Sequence, residues 1–284
     1  MVNVQNKSCS LTTHHSSLIT HHSPFTTDLK MRNLIDRITT DFSLVDRKAV
    51  FALLYTAVGL TGIFYLKNQD NVVSYLRDTS LEDIGVFIAD ASSTNLPALG
   101  WWVVVVTIFY FLIPAIVIRY LYRESLADFG LNLRIEPGFA KLFVTAMAVL
   151  LPLVYMMSLT ESFTAKYPFL KIYDGEPYIG TTLLIWELIY FVQFFGLEFF
   201  FRGFLVHSLK PALGIYSIFV MTVPYTMIHF GKPPAETMAA IAAGVFLGWL
   251  SYRNGNIWMG LVLHCAVAFS MDMLALYNKG LLFW

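Results

Sequence analysis

The stretch Gly-Leu-Glu-Phe-Phe-Phe-Arg-Gly-Phe at residues 196–204 places Glu198 and Arg202 inside an apolar segment long enough to cross a bilayer. A charged side chain at the bilayer centre costs about 2.5–3.5 kcal/mol on insertion scales, and it survives mainly in a cavity or beside a partner. Two later apolar segments each hold one more ionisable residue of interest, His229 and His264. One acid, one arginine and two histidines on three separate helices are the raw material of a buried polar site.

The composition agrees with a chain built for lipid. Of its 284 residues, 57% are hydrophobic and 13% charged, against about 25% charged in an ordinary soluble domain. The mean hydropathy is +0.62. A formal net charge of zero argues against a nucleic-acid partner, and the apolar composition makes the lipid bilayer an expected one. Cys9 and Cys265 sit in a polar tail and an apolar run, without CxxC or zinc-ligand spacing, so no disulfide framework is implied.

Apolar runs predict an all-α polytopic membrane bundle of about seven spans, at 48–66, 100–121, 139–160, 181–207, 214–230, 235–252 and 257–277. A buried polar site is expected between the last four. Residues 1–47 read as a polar, largely disordered tail, 48–99 as the first span plus an interfacial segment, and 100–284 as the main transmembrane domain. The tail repeats LTTHHSS at 11–17 as LITHHSP at 18–24, a His-rich tract that could bind metal or be a plain disordered extension. Met31 is an alternative start. Ser80-Leu-Glu-Asp83 and Ser125-Leu-Ala-Asp128 are capping-box patterns, the first expected to open a short interfacial helix. Nine Lys and Arg on one side of the first three spans against four on the other predict a cytoplasmic N-terminus, and the expected location is the plasma (inner) membrane.

Within the fourth span, Glu187 and Glu198 are eleven residues apart and share a helical face, and Arg202 follows Glu198 at i+4. Tyr225 and His229 share a face of the fifth span, which Pro224 interrupts and Lys232-Pro233-Pro234 ends. His264 and Asp272 lie eight apart in the last. Glu and His can take a proton from water, and a second His can donate to a developing oxyanion, which suits carbonyl hydrolysis without a covalent intermediate. No GxSxG or HExxH is present. Two His and one Glu could also hold a divalent metal such as zinc with an open position, and the spacing leaves that choice open. By simple topology Glu198 and His264 lie toward one side and His229 toward the other, so a three-residue site requires a short, partly re-entrant fifth helix.

These residues resemble the CPBP family, the CAAX-protease and bacteriocin-processing (Abi) group of intramembrane glutamic proteases, and the chain is similar to type II CAAX prenyl endopeptidases. The family patterns EExxxR, FxxxH and HxxxN or HxxxD are matched by Leu197-Glu198-x-x-x-Arg202, Tyr225-x-x-x-His229 and His264-x-x-x-Ala268. Leu197 stands where the family has its first glutamate, and Ala268 where it has Asn or Asp. The resemblance implies an intramembrane endopeptidase with Glu198, His229 and His264 catalytic, supported by Arg202, Glu187, Tyr225 and Asp272, and no required cofactor. Leu197 and Ala268 motivate an alternative, a catalytically inactive relative that binds or chaperones a membrane protein. A transporter or proton relay using the same buried groups is a third reading.

Overall fold

The computed structural model describes residues 24–134 and 137–282, and the His-rich repeat, apart from Pro24, lies outside them. The chain divides into two units, Met1–Val45 and Asp46–Trp284. In the first, within the stretch read as a polar tail, α1 (Pro24–Ser43) is helical.

The second unit is a helical bundle, an all-α polytopic architecture with two isolated β-bridges among the described residues. Its helices are α2 (Arg47–Leu66), α3 (Gln69–Leu76), α4 (Glu82–Ala89), α5 (Leu96–Tyr122), α6 (Phe139–Ser158), α7 (Glu161–Lys166), α8 (Thr181–Leu213), α9 (Tyr216–Met227), α10 (Pro234–Asn254) and α11 (Trp258–Asn278). Six of these, α2, α5, α6, α8, α10 and α11, are long and apolar enough to span a membrane. The fifth expected span, 214–230, instead yields the 12-residue α9. At 1.5 Å per residue α9 covers about 18 Å. Gly214 bounds it on one side, and Ile228 and the Gly231-Lys-Pro-Pro run end it on the other.

Hydrogen bonds fix the direction of each helix. At the end where α2 begins, Lys48 pairs with Glu124 at 2.6 Å, Trp258 donates to Asn132 O at 2.7 Å, and Asn256 donates to Arg134 O at 3.2 Å. At the opposite, distal end, Trp101 donates to Leu66 O, Asn278 to Ser158 O, and Tyr167 to the carboxylate of Glu236. Because α10 starts beside Tyr167 and finishes beside Arg134, the short α9 carries the chain from the α2-start end to the distal end.

The capping patterns diverge. Ser125 caps a single 3-10 turn, Leu126–Phe129, through a complete capping box. Ser80 caps nothing: α4 begins at Glu82, and the Thr79 hydroxyl accepts from the Leu81 amide instead. Exposed Ile84, Val86 and Phe87 leave α4 with an apolar outer face.

α8 is the most buried of the six long helices. Its run of phenylalanines packs on α5, with Phe200 stacked on Tyr110 at 4.9 Å and Phe199 edge-on to Phe111 at 5.1 Å. Where lipid replaces water, helices associate through close packing of small residues rather than through hydrophobic exclusion. Gly244 and Gly248 let α10 lie against Thr222, Met221 and Ile218 of α9, and Gly203 lets α8 meet the turn at Phe129.

A Cβ at position 203 would stand 2.5 Å from the Phe129 carbonyl oxygen, whereas one at position 100 would meet open space. Gly203→Ala is therefore expected to lower stability by about 1–3 kcal/mol. Gly100→Ala, in a helix interior, should be neutral or raise it by up to about 1 kcal/mol. Thermal unfolding of both variants in the same detergent checks the contrast.

Candidate active site

The site begins at a change of helical pitch. α8 is α-helical to Glu198 and then widens into a π-turn over Phe199–Leu205, a feature frequent at functional sites because it re-aims side chains and unsettles the carbonyl ladder. Arg202 lies within that turn, and its carbonyl accepts a 2.9 Å bond from the Ser251 hydroxyl of α10. His207, one helical turn further along α8, lies 3.2 Å from the same hydroxyl. His207 thus belongs to the α8–α10 interface.

Glu198 and Arg202 are both fully buried. Glu198 Oε1 lies 3.2 Å from Arg202 Nη1 and 2.6 Å from His264 Nδ1. The guanidinium sits 3.9 Å from the centroid of the Tyr225 ring, and none of its nitrogens has a conventional hydrogen bond among the described residues. Its charge is answered by one carboxylate and one aromatic face. Gly260, four residues before His264, makes room for Glu198 Oε2, since a Cβ there would collide with it.

Two tautomers follow from the acceptors. A carboxylate only accepts, so His264 carries a proton on Nδ1 toward Glu198. Its Nε2 lies 3.1 Å from the Tyr225 hydroxyl, and Phe194 stacks on the ring at 5.0 Å. A backbone carbonyl also only accepts, so His229 donates from Nδ1 to Tyr225 O at 2.8 Å. That leaves Nε2 of neutral His229 with its lone pair free. The His229 and Tyr225 rings lie 4.8 Å apart.

The three motifs therefore converge. Glu198 touches Arg202 and His264 directly, and Tyr225 links His264 to His229. No hydrogen bond joins Glu198 to His229 among the described residues. Glu198 Oε2 has no partner among them either, so the cluster holds two free acceptors, that oxygen and His229 Nε2.

Glu187 and Asp272, expected to support this cluster, make no hydrogen bond or ion pair to it among the described residues. They share helical faces with Glu198 and His264, but offsets of eleven and eight residues displace them by about 16 and 12 Å along the axes. They form a second buried group, in which Trp186 Nε1 donates to Asp272 Oδ2 at 2.8 Å. Glu187 has neither oxygen partnered among the described residues. Leu197 and Ala268 are buried in apolar packing. No group of three His, Cys, Asp or Glu side chains among the described residues is arranged to hold a metal ion.

Sequence reasoning missed Ser251, Phe194 and Gly260. Only Gly260 carries a signal in the sequence, its place one turn before His264 on the same face.

Residues 179–270, about a third of the chain, match the family model described as type II CAAX prenyl endopeptidase Rce1-like. The chain carries an Rce1-like domain. All five residues of the cluster, Glu198, Arg202, Tyr225, His229 and His264, fall within it, and Asp272 falls outside. No curated protein and no solved structure matches the chain. With six helices long and apolar enough to cross a membrane, this is an integral multi-pass membrane protein, and its residues 179–270 are similar to a family of CAAX-protease-like endopeptidases.

Removing one partner of a buried ion pair leaves an uncompensated charge and typically costs about 3–5 kcal/mol. Arg202→Met should therefore unfold at markedly lower temperature in detergent, and Arg202→Met combined with Glu198→Gln should recover much of the loss. Ser251→Ala leaves the Arg202 carbonyl buried and unpaired, with an expected cost of about 1–3 kcal/mol in the same measurement.

Proposed function

We propose that the protein is an intramembrane endopeptidase that hydrolyses a peptide bond near the membrane surface with a water activated inside the helix bundle. The observation that carries this reading is the 2.6 Å contact between Glu198 and His264, with Tyr225 bridging to His229. It draws complementary acid, base and donor groups from three helices into one cluster.

In this mechanism a water lies between the two free acceptors, Glu198 Oε2 and His229 Nε2. His229 takes one proton as the water oxygen bonds to the scissile carbonyl carbon. The oxygen of that carbonyl becomes an oxyanion, stabilised by His264 in its doubly protonated form, with Nδ1–H held by Glu198 and Nε2–H donating at the edge it shares with the Tyr225 hydroxyl. Collapse of the tetrahedral intermediate breaks the C–N bond, and the proton held on His229 passes to the departing amine. Arg202 keeps Glu198 ionised and in place.

The role is metal-free in this reading, and the substrate is a peptide or membrane protein presented from the bilayer. The lysine and arginine bias supports a cytoplasmic N-terminus in the plasma (inner) membrane. A second reading, a catalytically inactive binding or chaperone protein, is favoured by Leu197 and Ala268, whose apolar side chains replace two polar groups of the family pattern.

Cleavage of a diverse quenched-peptide pool by purified protein in lipid separates the two. Glu198→Gln and His229→Ala are each expected to lower the rate by at least about 10³-fold, the first, which strands the buried Arg202 charge, being assayed below its lowered unfolding temperature. A chelator should leave the wild-type rate unchanged. Retained turnover in either variant would overturn the residue roles, loss of activity with chelator would overturn the metal-free route, and an inert wild type would favour the binding protein.

A further inference from the structure

His229 is held by backbone on a turn, Ile228–Pro233, rather than inside a helix, so something must fix that turn. Its carbonyl accepts from the Thr237 hydroxyl at 2.9 Å and from the Lys232 amide at 3.1 Å. Lys232 Nζ in turn reaches Glu236 Oε1 at 2.7 Å. Glu236 lies in the first turn of α10, and both its oxygens lie within hydrogen-bond distance of the Tyr167 hydroxyl, at 2.9 and 2.8 Å. Tyr167 belongs to the loop between α7 and α8, far away in sequence. It is fully buried between Phe163, at 4.8 Å, and Phe169, at 4.9 Å. Its carbonyl is held by Lys279 just beyond α11. Lys232 also sits 6.0 Å over the Phe169 ring.

A continuous set of contacts thus runs from the end of α11, through Tyr167, to the turn that presents His229. Glu198, Arg202 and His264 are anchored on long helices and Tyr225 lies within α9, whereas His229 stands on the turn beyond α9. Burial holds the Tyr167 hydroxyl well above the ordinary tyrosine range, so it stays a proton donor to Glu236.

We propose that Tyr167 and Glu236 form a latch that sets the position of His229, acting as positioning residues. Its catalytic meaning rests on the peptidase reading above; its structural content does not. The latch touches neither Glu198 nor His264, so its loss should misplace one acceptor while leaving the other polar groups in order.

The test uses full-length protein in lipid, with acylation of individual histidines by diethyl pyrocarbonate followed by mass spectrometry, beside peptide-cleavage kinetics. Tyr167→Phe keeps the buried ring and removes only the hydroxyl. It is expected to raise the modification rate of His229 severalfold and leave that of His207 unchanged. In the same variant kcat should fall about tenfold or more with KM nearly constant, as for a slightly misplaced catalytic group. Glu236→Gln should give a smaller change in the same direction, because its amide oxygen still accepts from Tyr167 while Lys232 is released. It decides the matter if Tyr167→Phe does not fold. Unchanged His229 modification in a folded Tyr167→Phe overturns the latch whatever the activity. Raised modification in a protein whose wild type cleaves nothing supports the latch and counts against the peptidase reading alone.

Discussion

A carboxylate and a guanidinium, both fully buried in a lipid-facing bundle, set the terms for everything around them. Neither could remain charged in hydrocarbon alone, and each is expensive to remove from water even as a pair. Glu198 answers this with two partners on one oxygen, Arg202 from its own helix and His264 from α11. Arg202 answers it with that carboxylate and the face of Tyr225. The pair thereby ties its neighbours to α8: moving α11 away removes the His264 partner of Glu198, and moving α9 away removes the Tyr225 face from Arg202. A cluster required for burial is also the cluster from which hydrolytic chemistry can be drawn.

Packing around the pair is arranged to allow this proximity. Gly260 brings α11 against Glu198, Gly203 brings the 126–129 turn against α8, and Gly244 and Gly248 bring α10 against α9. Aromatic side chains fill the remaining space, with Tyr110, Phe200 and Phe201 on one side and Phe194 on the other. The π-turn at Phe199–Leu205 frees the Arg202 carbonyl from a regular ladder, and the Ser251 hydroxyl takes it up. Local irregularity in α8 is thus compensated by a neighbouring helix, as irregular backbone at membrane depth requires.

Much of the bundle was legible because apolar length is a direct physical requirement of crossing hydrocarbon. The runs at 48–66, 139–160 and 257–277 became α2, α6 and α11 with ends shifted by only one or two residues. The run at 214–230 misled on length, since its residues are mostly apolar but Gly214 and the Gly231-Lys-Pro-Pro break confine the helix to the middle. At the site, the i+4 pairing of Glu198 with Arg202 was readable from spacing. Helical spacing reports which face a residue occupies and says less about depth, so it places Glu187 and Asp272 on the faces of Glu198 and His264 without bonding them to that pair. The bond from Ser251 to Arg202 was invisible because it depends on a π-turn, and no periodicity announces one.

The brevity of α9 has a consequence for the bilayer itself. About 18 Å of helix stands where the hydrocarbon is about 30 Å thick, and the mismatch is met by thinning of the lipid or by entry of water. The turn that completes the crossing bears Lys232, whose ammonium is no guest for acyl chains. Lipid beside the α9–α10 hairpin is accordingly expected to be thinner or wetter than an unperturbed bilayer. The hydrophobic barrier on that side is as short as the helix that faces it, so where α9 stops sets the shape of the membrane there.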